Sequence, residues 1–288
     1  MTDVQPDSPT TIAHMQFVNA DALVVLVNEG ADPGEGLSLL YAVDIGTLRE
    51  AREIPEAFAE FEGWLTTFWV LDPDSMFIGT ADGVVLITGG DDFEEFEISD
   101  RGVTSIVGSA RDDAYAATVG GEVFRWDGRS WNDLAAPFQG AVYALAIGAD
   151  GSLFACGADA SFAIFDGTAW AVVEMPTNAQ LNGLLVEPGG IVVSGNSGIV
   201  VRLSAGELEV RPPVGSNAFD LARFGTDLCV AASDSGVLAF KDEEWEPIND
   251  AFVAFGLASN DRFLVAAGAD ELAIFDRDVW TTVTFRRN

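Results

Sequence analysis

Along this chain one order of residue types keeps returning: a short run of apolar, β-branched and alanine residues, a turn of Asp, Gly or Asn, then three more such runs. The copies stand out at residues 104–134, 141–175 and 252–284. There TSIVGSARD, DAYAATVGG, EVFRWDGRS and WNDL align with AVYALAIGADG, SLFACGADA, SFAIFDGTA and WAVVEM, and with FVAFGLASND, RFLVAAGAD, ELAIFDRDV and WTTVT. Short runs of this composition bounded by turn residues read as β-strands. A recurrence of roughly forty residues is the mark of a repeat array. One such sheet cannot bury both its faces alone, so the copies must stack on one another.

Further copies keep the frame at 181–210, 218–248 and 64–98. The first copy is the most degraded. It reads TIAHMQFVNAD, ALVVLVNEG, an insertion ADPGEG, then LSLLYAVDIG and TLREAREI as its fourth run. Seven copies of four strands predict an all-β chain: a seven-bladed β-propeller with antiparallel blades and no second domain. The expected blades are 11–60, 61–100, 101–138, 139–178, 179–214, 215–250 and 251–288, after a flexible tail at 1–10. Trp131, Trp170, Trp245 and Trp280 open the fourth strands, with Phe93, Glu207 or Leu208, and Thr47 or Leu48 in their place elsewhere. Residues 49–64 have some helical character. Pro55 argues against a continuous helix there, so a fourth strand and a long interblade loop are expected. The last copy runs through its own fourth strand to Phe285, so the ring is expected to close by packing of its first and last blades rather than by strand exchange.

A glycine closing the second strand (Gly120 with Gly121, Gly157, Gly195, Gly268), an apolar third strand ending in Asp-Gly, and then Trp resemble the marks of kelch repeats and of bacterial Ycf48-like propeller repeats. The resemblance spans nearly the whole chain and implies a fold rather than an activity. The period is shorter than that of kelch, and the paired glycine occurs only at Gly120 and Gly121. Likeness to WD40 repeats rests on the single pair Trp126 and Asp127.

Charge narrows the partners. Forty-six acidic residues oppose 14 basic ones among 288, a net charge of −32. Such a field repels phosphate backbones and anionic lipid, so neither nucleic acid nor a membrane surface is an expected partner. A protein partner, with a basic surface, remains. No signal-peptide pattern opens the sequence and no apolar run reaches spanning length; residence in the cytoplasm of a prokaryote is the expectation. Cys156 and Cys229 lie in equivalent strand runs two copies apart and are expected to be buried free thiols.

The chemistry-bearing residues are sparse. One histidine, His14, and two distant cysteines cannot build a triad or a His/Cys zinc site. Carboxylate pairs such as Asp91 with Asp92, or Asp112 with Asp113, fall in solvated turns, and no calcium loop or phosphate-binding glycine motif is present. No catalytic, metal-binding or cofactor-binding residue is expected, and no cofactor. The turns joining first to second and third to fourth strands should share one face, an acidic ring explained largely by the preference of Asp for tight turns. The opposite face carries the interblade loops, and loops on a rigid scaffold are where binding resides. Its candidates for partner binding are Phe58, Phe61, Trp64, Phe138, Gln139, Arg211 and Asn217. The leading expectation is a non-catalytic interaction scaffold or accessory subunit; the alternative is an enzyme or small-ligand binder using carboxylates at the axial channel.

Overall fold

A computed structural model describes residues 9–32, 36–72, 75–89 and 92–285. The expected tail 1–10 lies outside the described residues up to position 8, as do Asp91 and half of the insertion at 31–36. Seven four-stranded antiparallel sheets follow one another along the chain, each a simple meander. They span 10–62, 65–97, 103–133, 142–172, 181–210, 220–249 and 256–284. The chain is a seven-bladed β-propeller.

Each core lies between blades rather than inside one. The buried apolar residues form seven clusters, and every cluster joins two neighbouring blades. This is the stacking that a lone sheet with two apolar faces requires. The seam between blades 7 and 1 has the same construction as the others, with Val25, Val43 and Ile12 against Val265, Ile274 and Val283. The backbone N–H of Ile12 also donates to Ala269 O at 2.7 Å. Arg262 reaches Asp21, and Asn260 Nδ2 donates to Ala20 O at 3.0 Å. Closure is therefore by face packing, and blade 7 keeps its own fourth strand, Trp280–Thr284.

Blade 1 departs from the sequence expectation. Its fourth strand is Ala59–Glu62, which extends blade 1 past residue 60, and the TLREAREI run is largely helical over Ile45–Ala51. Asp44 caps the helix by accepting the Thr47 N–H at 2.8 Å, satisfying an otherwise unpaired first-turn donor. Ile45 and Leu48, one turn apart, are both fully buried in the seam with blade 7. Arg52 ends the helix at φ 54. Pro55 thus stops the helix from continuing to residue 64, while the spacing ahead of it forms one.

The tryptophan positions acquire a structural role. The indole Nε1 of Trp170, Trp245 and Trp280 each donates to a carbonyl of the preceding blade's outer strand or its exit: Leu134, Pro212 and Ile248, at 3.0, 2.7 and 2.8 Å. Each ring also packs on the aromatic opposite it on the third strand, Phe165, Phe240 or Phe275. At Gly157 and Gly195 the glycine that closes the second strand is explained by crowding: a Cβ on Gly157 would stand 2.0 Å from Ala141 O, where the incoming chain crosses it.

Candidate functional site

The innermost strands, Thr10–Phe17, Leu65–Asp72, Val103–Ala110, Val142–Ile147, Leu181–Glu187, Asp220–Phe224 and Gly256–Ser259, surround the axis. In blades 1 to 5 their pairing with the second strand slips at one equivalent place, and in blades 2 and 3 at a second place farther along. The register jumps from Ile12 to His14, Leu65 to Thr67, Val103 to Ser105, Val142 to Ala144 and Leu181 to Gly183. A bulge leaves its extra residue outside the ladder. Those residues are Ala13, Thr66, Thr104, Tyr143 and Asn182. In blades 6 and 7 Phe219 and Phe255 hold the place, their N–H groups donating to Ala231 and Ala267, which also pair with Asp220 and Gly256.

The result is a seven-membered ring near the loop-bearing end of the channel. Its polar members stitch blades together. Thr66 Oγ1 donates to Val103 O at 2.6 Å, Thr104 Oγ1 to Val142 O, and Asn182 Nδ2 to Ala218 O at 3.0 Å. Each acceptor immediately precedes the next blade's bulge residue. The aromatic members face the opening instead: Phe219 and Phe255 meet edge to face at 5.5 Å, and Phe255 remains 42% exposed beside exposed Val253.

Below this ring the seven strands enclose a cavity of ≈ 460 Å³. One residue further along each strand, Ser105 Oγ accepts from Leu145 N at 3.2 Å, and Asp220 Oδ2 accepts from Leu257 N at 2.8 Å. Burial pushes the Asp220 carboxyl up to about 6. His14 occupies the equivalent place in blade 1, edge-on to Phe68 at 4.8 Å, and burial pulls its imidazole down to about 4. Hence His14 is neutral at neutral pH. It lines the channel cavity. Asp220 carried no signal until the copies were aligned column by column.

The residues singled out from the sequence lie at three separate seams. Phe58, Phe61 and Trp64 fall along the outer edge of blade 1: Phe58 is exposed, and Phe61 packs on Phe93 of blade 2 at 5.2 Å. Trp64 is half-buried, its Nε1 covered and without a hydrogen-bond partner among the described residues. Phe138 is buried against Trp170, while the adjacent Gln139 is exposed. Arg211 lies over the Phe240 ring at 4.5 Å and bridges to Glu209 and Glu243. Asn217 is exposed and accepts from Ser197 N at 2.9 Å. These seven residues do not form one patch.

Several turn acids act as turn residues. Asp127, Asp166 and Asp276 each accept two backbone N–H groups from within their turns. Those bonds hold the carboxyls of Asp127 and Asp276 below the usual range, Asp276 at about 2, and the Thr168 hydroxyl together with the two backbone bonds does the same for Asp166. Cys156 and Cys229 are free and buried, and burial raises both thiols, Cys229 to about 12. Among the described residues no group of three or more His, Cys, Asp or Glu side chains is placed to hold a metal ion. No helix among them is long and apolar enough to cross a membrane.

No family model and no curated protein matches this sequence. Solved structures do. The WD40 β-propeller domain of Doa1 superposes with a TM-score of 0.72 at 11% identity, over 95% of this chain and 96% of that one. A chain of the Mitotic Checkpoint Complex gives 0.70 at 13%, over 100% and 94%. The computationally designed Ika8 protein gives 0.68 at 16%, over 93% and 84%. At these identities the likeness establishes the propeller and nothing of its activity.

Proposed function

We propose that this protein is a non-catalytic interaction scaffold that docks a protein partner on the loop-bearing face, centred on the channel mouth. The observation that carries this reading is the exposed apolar arc of Phe255, Val253 and half-buried Phe219 at that mouth. Large aromatics held rigidly at the centre of a face are the residues that dominate binding energy. Exposed Asp234 and Asp250 stand in the neighbouring loops of blades 6 and 7. They suit a partner with an apolar anchor flanked by Lys or Arg, since opposite charges at the rim speed encounter and select register. Membership of a similar chain in the Mitotic Checkpoint Complex supports assembly as a use of this fold.

The test compares affinity purifications from the native host using the wild-type chain, Phe255→Ser and, as a control on the outer edge, Phe58→Ser. A stoichiometric partner should be lost with Phe255→Ser and kept with Phe58→Ser. Retention by both variants, or the absence of any stoichiometric partner, overturns the reading.

A further inference from the structure

The axial cavity contains an electrostatic oddity that strand stitching does not explain. Asp220 is the one formally charged residue at neutral pH among the residues that line it. Among the described residues its oxygens accept only the N–H groups of Leu221 and Leu257, at 2.8 Å each, and no Arg or Lys neutralises it. In blade 3 the equivalent stitch to the next blade is made by the neutral Ser105 Oγ, accepting from Leu145 N. A hydroxyl therefore suffices for the structural task. A carboxylate in that place adds a charge, half-buried in the channel wall, and a charge partly withdrawn from water is costly unless it meets an opposite one.

The surroundings say what would meet it. The walls beside Asp220 are aromatic, with Phe219 preceding it and Phe255 in the next blade; Tyr143 and Trp69 line the same cavity. Aromatic faces attract cations through their quadrupole and cover apolar bodies equally well. At ≈ 460 Å³ the cavity falls within the size range of small-molecule sites. The net charge of −32 draws cations toward the mouth and repels anions. Gly256, between Asp220 and blade 1, presents no side chain, so the carboxylate is not screened from that side: a Cβ there would stand 3.9 Å from Asp220 Oδ2.

We propose that the axial cavity binds a small organic molecule bearing a protonated amine, with its ammonium group on Asp220 and its apolar body against Phe219 and Phe255. This site shares Phe219 and Phe255 with the protein-docking reading but does not rest on it, since its charged group, Asp220, lines the cavity inside the channel.

Calorimetric titration of the full chain at pH 7.5 with phenethylamine, agmatine and benzylamine, and with uncharged 2-phenylethanol, tests it. At least one amine should bind, with phenethylamine at least tenfold tighter than the alcohol. Asp220→Asn keeps an oxygen for the Leu257 N–H and removes the charge; amine binding should weaken tenfold or more while the alcohol is unaffected. Gly256→Ala is a second variant whose added methyl meets only ordinary contacts, and it should weaken the amine several-fold in a chain that melts normally. No binding by any amine, equal binding of phenethylamine and the alcohol, or amine binding unchanged in Asp220→Asn overturns the proposal. A blocked lysine peptide binding more than tenfold tighter than every free amine would assign the cavity to a partner's side chain and overturn it equally.

Discussion

Trp170 in the outer strand of blade 4 donates its Nε1–H to the carbonyl of Leu134, 3.0 Å away at the outer exit of blade 3. At Trp170, Trp245 and Trp280 the repeat's tryptophan is thus a clamp between blades, and its indole nitrogen is what distinguishes it from phenylalanine; at Trp131 the buried Nε1 has no partner among the described residues. Trp170→Phe keeps the ring and removes the donor. It should cost about 1 kcal/mol, the usual net worth of one hydrogen bond, and lower the melting temperature by roughly 2 °C. Trp245→Phe should do the same at the next such clamp, two seams on. The two sites share no partner, so the double variant in a urea titration should lose the sum within about 0.5 kcal/mol.

The channel also holds two groups whose protonation opposes one another. His14, near 4 in the fold and about 6.5 when unfolded, binds fewer protons in the fold. Its stability contribution is complete above 6.5 and is lost as pH falls toward 4. Asp220, near 6 in the fold and about 3.9 unfolded, binds more protons in the fold. It therefore penalises the fold above 6, and that penalty is relieved as pH falls toward 4. The windows nearly coincide, so the wild-type chain masks both effects. Relative to wild type, His14→Gln should gain about 1–2 kcal/mol between pH 7.5 and pH 5 and Asp220→Asn should lose a similar amount. Denaturant midpoints at the two pH values check this, because the self-repulsion common to all three chains cancels. Parallel slopes for the two variants would refute the assignment.

The helix at Ile45–Ala51 is a working part of ring closure rather than an ornament on blade 1. Leu48 is 1% exposed in the seam with blade 7, and Arg49 beside it bridges to Asp276 of blade 7. Leu48→Ala should destabilise by about 2–4 kcal/mol, as buried leucine truncations do. Arg49→Ala removes a partly solvated ion pair and should cost less than about 1 kcal/mol. Comparable losses for the two, measured by thermal unfolding, would mean that charge and not burial closes the ring.

The blades were legible because each strand run is short, apolar and bounded by Asp or Gly, and because such sets stacked in a closed ring leave no face uncovered. The helix was less so. Its signals, Asp44 as cap and the three-residue step from Ile45 to Leu48, are local and were outweighed by Pro55 ten residues on. The channel ring escaped notice for a different reason. A bulge changes which residues face each other without requiring a special residue, as the series Ala13, Thr66, Thr104, Tyr143, Asn182, Phe219 and Phe255 illustrates. Aromatics in interblade links were equally ambiguous: Phe138 is core and Phe58 is surface, and nothing in their neighbours separates them.

Crowding at the repeat's glycine makes the sharpest claim about fold. Gly157 and Gly195 both have extended backbones, so their need for glycine is not a matter of positive φ. It lies in the chain that crosses them, since a Cβ would stand 2.0 Å from Ala141 O at one and 2.3 Å from Gln180 O at the other. The same crossings carry backbone bonds, Ala158 N to Ala141 O and Asn196 N to Gln180 O, each 2.8 Å. An added methyl must push the crossing strand away and break that bond together with the packing beneath it. Gly157→Ala should therefore cost about 2–3 kcal/mol, from overpacking and the lost bond together. Gly167→Ala, at a φ of 94 in an open turn with no atom near its Cβ position, should cost only about 1 kcal/mol through backbone strain. Urea midpoints for the two variants measure the difference. If the order were reversed, the glycine mark would report turn conformation and not the close passage of strands at the ring's inner edge.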